Sequence, residues 1–484
     1  MERYDVLHYS MEKSFRLKLL YCAGLALFWV VFLWNFWSKG VYALGMNAFI
    51  FLSLFFWLFL LELYKNGRYA KNDLAWIIPT VLIVASFSLY DNPFLKIVNL
   101  LVLPVMFVLF YSNALLAEKK TTYWNADFII KLTGRALSIL GEIHNSIKAY
   151  GALIIPASKT NKHIIMRIVA GMVLFLASAL IVFIPLLSSA DAVFSQKVEV
   201  ITIWFENIFS TPLVYRIGVF IILSVVFFSA FTAWSKPFDH HEKEENNKQV
   251  DSIIVGIVLG GILCVYLFFL WIQVNRLWIG ALPFDFKETE QLVKSGFWQL
   301  LALSLINIFI YFFAYKKTVP FVQKILIAFT IASLLLLASA GHRMGLYVIY
   351  YGFSYEKFFA SYTVLYCAIL YLWLIAQLFQ NQRSNIVKFL IMLFLWMFAV
   401  VSIFPIEQFI FRTNMALHNL KDSRIILSEM RMLSPDVLPL VKKNKEKMLL
   451  EGEGYDWNKW IEDQEKLISE KVWYERNVMN IAFQ

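Results

Sequence analysis

The chain has 484 residues, of which 60% are hydrophobic, 17% aromatic and only 16% charged, with a formal net charge of +10. Its mean hydropathy is +0.63. A soluble fold of this length could not bury so much apolar surface, whereas a bilayer requires it, so a soluble globular protein is excluded. Three cysteines, Cys22, Cys264 and Cys367, sit in apolar runs with no Cys or His at metal-ligand spacing. Neither a metal site nor a disulfide framework is expected, and no cofactor.

Residues 1–16 are polar and charged, and the first apolar run lacks a small-residue cleavage site. That pattern predicts a retained first span rather than a removable signal peptide. Apolar runs near span length number about eleven. They cover residues 17–37, 41–63, 74–90, 93–117, 164–187, 213–234, 253–273, 296–315, 319–340, 358–379 and 386–405. The third is short, which leaves ten or twelve spans open. With the N-terminus in the cytoplasm, the cytoplasmic ends collect about half of the 44 Lys and Arg residues, as the positive-inside rule requires. The predicted topology is therefore N-terminus inside and C-terminus outside. The expected fold class is all-α: a polytopic transmembrane helix bundle with a small C-terminal extracytoplasmic helical domain.

Taken in order, residues 1–117 form a four-span region and residues 118–163 a cytoplasmic break. Within the break Phe128, Leu132, Ala136, Ile139, Leu140, Ile143 and Ile147 recur at helical spacing, with Lys131, Arg135, Glu142 and Lys148 between them. The pattern fits an amphipathic helix on the inner leaflet, and equally one docked on the bundle. Residues 164–410 carry seven spans. The first ends at Asp191, and Val198, Ile201, Phe205 and Ile208 then suggest a short interfacial helix. His240 and His241 lie in a polar loop and lack partners for a metal site. Arg276 follows the next span, and Glu407 follows the last.

The stretch SAGHRMGLYVIYYGFS is the most informative. If it stays helical, Arg343, Tyr347, Tyr350 and Tyr351 share one face, and Gly341 and Gly345 form a small-xxx-small pair. Asp191, Arg276, Arg343 and Glu407 all fall near the predicted outer boundary, beside Tyr347 and Tyr351. They make a candidate polar cluster, either a structural ion-pair set or a ligand site. Residues 411–484 read as soluble helices. Ser434-Pro435-Asp436 forms a strong helix start, and Trp457, Trp460, Ile461, Leu467, Ile468 and Val472 predict a final amphipathic helix.

Five stretches in order carry a family resemblance: ADAVF at 190–194, LWIQVNRLWIG at 270–280, GFWQLL at 296–301, HRMGLYVIYYGFSYEKF at 342–358 and LSPDVLPL at 433–440. Together they resemble a bacterial family named only as domain of unknown function 4173, related to 4153. Arg343, Met344, Leu346, Tyr347, Tyr351 and Gly352 match its R-M-x-L-Y…Y-G pattern. Glu356-Lys357 stands in place of the family's later arginine-leucine pair, and Leu292-Val293-Lys294 in place of its tyrosine-alanine-arginine. The resemblance covers roughly residues 164–439 and implies a polytopic plasma-membrane protein in bacteria, without a settled activity.

No catalytic residue is expected, since GxSxG, HExxH and a phosphate-binding GxxxxGK[ST] loop are absent from the sequence. The expected function is a non-enzymatic transport or envelope-signalling component. The alternative is a membrane-embedded transferase acting on a lipid-linked substrate, with Asp191 and Glu407 as its acids. Expected partners are membrane lipids and, through the C-terminal helices, other membrane or envelope proteins. No nucleic acid is expected.

Overall fold

The computed structural model describes residues 2–65, 67, 74–115, 126–154, 171, 212–236, 251–273, 286–315, 317–380, 385–420, 423–451 and 456–482. For 2–14, 126–127, 153–154, 273, 286–295, 451 and 482 it describes the backbone alone. The described chain is all-α. Nine of its helices are long and apolar enough to cross a membrane, and a tenth apolar helix, Leu74–Leu89, is shorter. Ten of the predicted runs are thus helices. The run at 164–187, the interfacial helix at 198–208 and the histidine pair lie outside the described residues.

The long helices are α1 (Glu2–Phe32), α2 (Met46–Lys65), α3 (Leu74–Leu89), α4 (Pro93–Ala114), α5 (Ala126–Ile154) and α6 (Pro212–Trp234). They continue with α7 (Ser252–Gln273), α8 (Phe286–Ala314), α9 (Pro320–Tyr351), α10 (Tyr355–Gln380) and α11 (Ile386–Ile403). The chain then forms α12 (Ile406–His418), α13 (Leu438–Lys443), α14 (Lys445–Glu451), α15 (Trp457–Ser469) and α16 (Val478–Ala482). Two compact units result. The first comprises residues 1–73, 107–117 and 129–239, and the second residues 74–106, 118–128 and 240–484.

In the first unit α1 runs antiparallel to α6. Phe15 meets Phe228 edge-on at 5.5 Å, and the Arg216 guanidinium lies 5.0 Å over Trp34 at the other end. Phe59 stands at the centre of an aromatic core, 4.7 Å from Phe107 and 5.0 Å from Phe231. Buried Asn47 closes the α1–α2 connection: its amide donates to Phe32 O and Ala43 O, and its carbonyl accepts from Gly45 N and Ala48 N. All four of its hydrogen-bonding positions are filled, which is what makes a buried amide tolerable.

Helix α5 packs on this unit. Its Ser146 hydroxyl meets that of Ser229 at 2.7 Å, and Tyr150 Oη donates to Leu19 O and Ser224 O. Arg135 donates to Trp234 O and Lys236 O, capping the C-terminus of α6 where orphan carbonyls favour a cation. The same helix leaves Leu137, Leu140 and Ile147 exposed. It therefore presents one docked face and one uncovered apolar face, rather than choosing between the two.

In the second unit α9 is central and packs against α7, α8 and α10. A polar chain threads the contact: Tyr266 Oη donates to Asn307 Oδ1 at 2.7 Å, and Asn307 Nδ2 donates to Ser333 Oγ at 2.9 Å. Asn99 likewise joins α3, α4 and α11, donating to Ser86 Oγ and accepting from Ser402 Oγ. Such interhelical bonds supply cohesion where lipid leaves no hydrophobic drive for helix association.

Helix α9 has 32 residues, about 48 Å at helical rise, against a hydrocarbon core of about 30 Å. The apolar run ends near Ala340, but the helix continues through Gly341, His342 and Arg343. It stops at Gly352, whose φ of +67° suits a residue without Cβ. A Cβ there would lie 2.6 Å from Asn414 Oδ1, which accepts from Phe353 N while its amide donates to Phe353 O. Gly352→Ala is expected to destabilise by about 1–3 kcal/mol through strain and this collision. A melting temperature in detergent equal to the parent's would show that the turn relaxes instead.

The C-terminal helices form a cap on the second unit. Trp457, Trp460, Ile461 and Ile468 of α15 are buried with Val437, Leu438, Val441, Ile410 and Phe411, and Leu95 and Val401 of the long helices join the same cluster. Ser434 caps the turn Pro435–Val437 by accepting from Asp436 N, as its sequence predicts. Asp456 caps α15 by accepting from Lys459 N at 3.0 Å. The amphipathic helix α15 ends at Ser469, so Val472 falls outside it, at the start of a short 3-10 turn.

Candidate functional site

The densest buried charge in the second unit begins at the turn between α3 and α4. Asn92 precedes Pro93, an N-cap followed by an N1 proline, and Asn92 Oδ1 accepts from Leu95 N at 3.0 Å. This cap holds Asp91 inward with 0% exposure. Lys96, one turn into α4, reaches back to Asp91 Oδ1 at 2.6 Å. Lys471, just past α15, binds Asp91 Oδ2. Both lysine side chains are 3% exposed, so this ion triad is dry.

A second acid lies alongside. Asp91 N donates to Asp436 Oδ2 at 2.7 Å. A third, Glu407 in the first turn of α12, accepts from Ser434 N at 3.0 Å, from the Ser434 hydroxyl and from Tyr355 Oη. Asn92 Nδ2 donates to Tyr355 Oη at 2.9 Å, which closes the loop back to the α3–α4 turn. A cavity of about 10 Å³, lined by Tyr90, Asn92, Glu407 and Asp436 among others, adjoins the acids and has room for about one water.

Electrostatics follows from counting. Asp91, Asp436 and Glu407 face Lys96 and Lys471, so neutrality requires one proton on a carboxyl. Burial pushes the Asp436 carboxyl well above its ordinary range, and the charges of Asp91 and Glu407 push it further. Burial also raises Glu407, against the opposing hydrogen bonds from Ser434 and Tyr355. Geometry favours Asp436 as the protonated member. Both Glu407 oxygens already accept hydrogen bonds, whereas Asp436 Oδ1 is buried without a partner. Burial lowers Lys471, against the opposing pull of Asp91.

Asp191 and Arg276 lie outside the described residues. Glu407 belongs to the network above. Arg343, Tyr347 and Tyr351 share a face of α9 at i, i+4 and i+8, with the two rings 5.0 Å apart. The Arg343 guanidinium lies against Gly296 of α8, so closely that a Cβ there would collide with it. Lys357 covers the tyrosines, 4.4 Å from the Tyr347 ring and 5.6 Å from Tyr351. It also donates to Tyr351 O and Gly352 O, a cation closing the negative end of α9.

Asp91, Asn92, Lys96, Tyr355, Ser434, Asp436 and Lys471 were not anticipated as a group. One signal was available: Lys96 is a lone base inside an apolar run, where an ionisable side chain needs a partner. Among the described residues no group of three or more His, Cys, Asp or Glu side chains could hold a metal ion. Chemically, the cluster is suited to locking helices together and to retaining one proton.

Comparison with known proteins gives one match. A family model described as Domain of unknown function (DUF4153) matches residues 77–444. It is the relative of the 4173 family, and its span reaches further toward the N-terminus than the sequence resemblance, taking in Asp91 and Lys96. No curated protein and no solved structure matches the chain.

Proposed function

The chain belongs to the DUF4153 family of unknown function, and on that premise we propose that it is a non-enzymatic envelope-signalling component of a bacterial plasma membrane. In this reading its N-terminus is cytoplasmic and its C-terminal cap extracytoplasmic. The carrying observation is the Asp91 lock. One carboxylate in a turn between two membrane helices is held both by its neighbour Lys96 and by Lys471 of the cap. A force or ligand acting on the cap would then reach α4 directly, without passing through a flexible linker.

The alternatives draw less support from the same residues. A transferase would need Glu407 free to meet a donor, yet its carboxyl oxygens are engaged by Ser434 and Tyr355, and the adjoining cavity of about 10 Å³ has no room for a lipid-linked substrate. Transport would need a wetted path, whereas the charges here are buried, with room beside them for about one water.

A cap-release variant tests the proposal. Lys471→Met should persist in the membrane, because Asp91 keeps Lys96, and should alter an envelope-stress reporter relative to the parent and to a deletion strain. Purified parent protein in liposomes should give no ion or osmolyte flux above empty vesicles. Flux above that background, or an unaltered reporter in the variant, overturns the signalling reading.

A further inference from the structure

The first unit holds a partly open cavity of about 280 Å³ between α1, α2 and α6. The sequence builds it from three helical faces. On α1, Lys18, Cys22 and Leu25 follow at i, i+4 and i+7; on α2, Phe55, Phe59 and Glu62 do the same; on α6, Phe227 and Phe231 are one turn apart. The polar groups collect at one end. Lys18 Nζ bonds Glu62 Oε1 at 2.6 Å and lies 5.3 Å over the Phe231 ring. Lys65 lines the same end, one turn beyond Glu62, and is exposed.

Among the described residues the mouth therefore carries two cations and one anion, and the interior is phenylalanine and leucine with Tyr21 and Cys22. An apolar chain entering it would gain close contact with aromatic walls, while a negative head would neutralise the surplus cation. At about 280 Å³ the cavity is large enough to take part of an acyl chain, though not a whole lipid. From this combination we propose that the cavity binds an anionic amphiphile, head at Lys18 and Lys65 and acyl chain along Phe59 and Phe231. A free fatty acid and an anionic phospholipid offer the same chemistry. The site shares no residue with the Asp91 network, and it does not depend on the signalling reading.

Purified full-length protein in a neutral non-ionic detergent should bind radiolabelled dodecanoate saturably, one per chain. Dodecanol, with the same chain and no charge, should compete at least tenfold less well. Lys65→Glu, at an exposed position that spares the fold, should weaken dodecanoate at least tenfold. Leu25→Trp, which fills the cavity from α1, should abolish it. Competition with phosphatidylglycerol separates the sources: displacement at lower concentration than unlabelled dodecanoate assigns the site to a phospholipid, and the reverse order to a free acid. Non-saturable uptake, equal competition by dodecanol, or unchanged affinity in Lys65→Glu overturns the proposal.

Discussion

Asp91→Ala is expected to cost about 3–5 kcal/mol of stability, because it strips the shared partner from two buried ammonium groups at once. Lys96 and Lys471 are each 3% exposed, so water cannot readily replace the carboxylate. The hydrogen bond from Asp91 N survives the substitution and is not part of this cost, since that donor is backbone and Asp436 still accepts it. Lys471→Met should cost less, because Asp91 keeps Lys96 and a nearly isosteric apolar chain takes the vacated space. Denaturant titration in detergent, read with limited proteolysis of the cap, measures both. In Asp91→Ala the cap should become protease-sensitive first, being joined to the long helices through this turn. A loss below about 1 kcal/mol would mean that the triad is solvated like a surface pair, and the lock would lose its physical basis.

How much of this was legible beforehand depends on the range of each signal. Hydrophobic runs announce single helices, and ten of them were found where expected. The shared face of Arg343, Tyr347 and Tyr351 is likewise a local property, fixed by helical spacing once α9 continues past Gly341. Ser434-Pro435-Asp436 also declared itself, but only as a helix start. That Asp436 would accept from Asp91 N, 345 residues away, is a tertiary fact with no local trace. The same holds for Lys471 and Asp91, 380 residues apart. Arg135 shows the limit most clearly. On an amphipathic helix that fits the inner leaflet and the bundle equally it reads as either a headgroup contact or a docked base, and it is buried as the cap of α6. Charge sign was visible in the sequence, but partner was not, because the partner is a set of backbone carbonyls that any sequence could provide.

Asp436→Asn is expected to flatten the pH dependence of cap stability. In the folded protein the Asp436 carboxyl titrates well above its ordinary range, chiefly through burial, and Glu407 is raised with it. Between the unfolded and folded titrations the folded state holds a proton that the unfolded state has released. Stability therefore falls as pH rises through that window, and is fully present only below the ordinary carboxyl range. Lys471 acts with the opposite sign: burial lowers it, so its contribution rises with pH, but only at the alkaline end where an ammonium titrates. The descending limb from weakly acidic pH upward thus belongs to the carboxyl pair. Asparagine keeps the oxygen that accepts from Asp91 N and puts an amide where the orphan Oδ1 stands, mimicking the protonated acid. The variant should match the parent at acidic pH and exceed it at neutral and mildly alkaline pH, by about 1.4 kcal/mol for each unit by which the folded titration is raised. Melting temperatures across pH in detergent decide it. Parallel curves for parent and variant would place the cluster's proton on Glu407, and Glu407→Gln would then be the substitution that removes the slope.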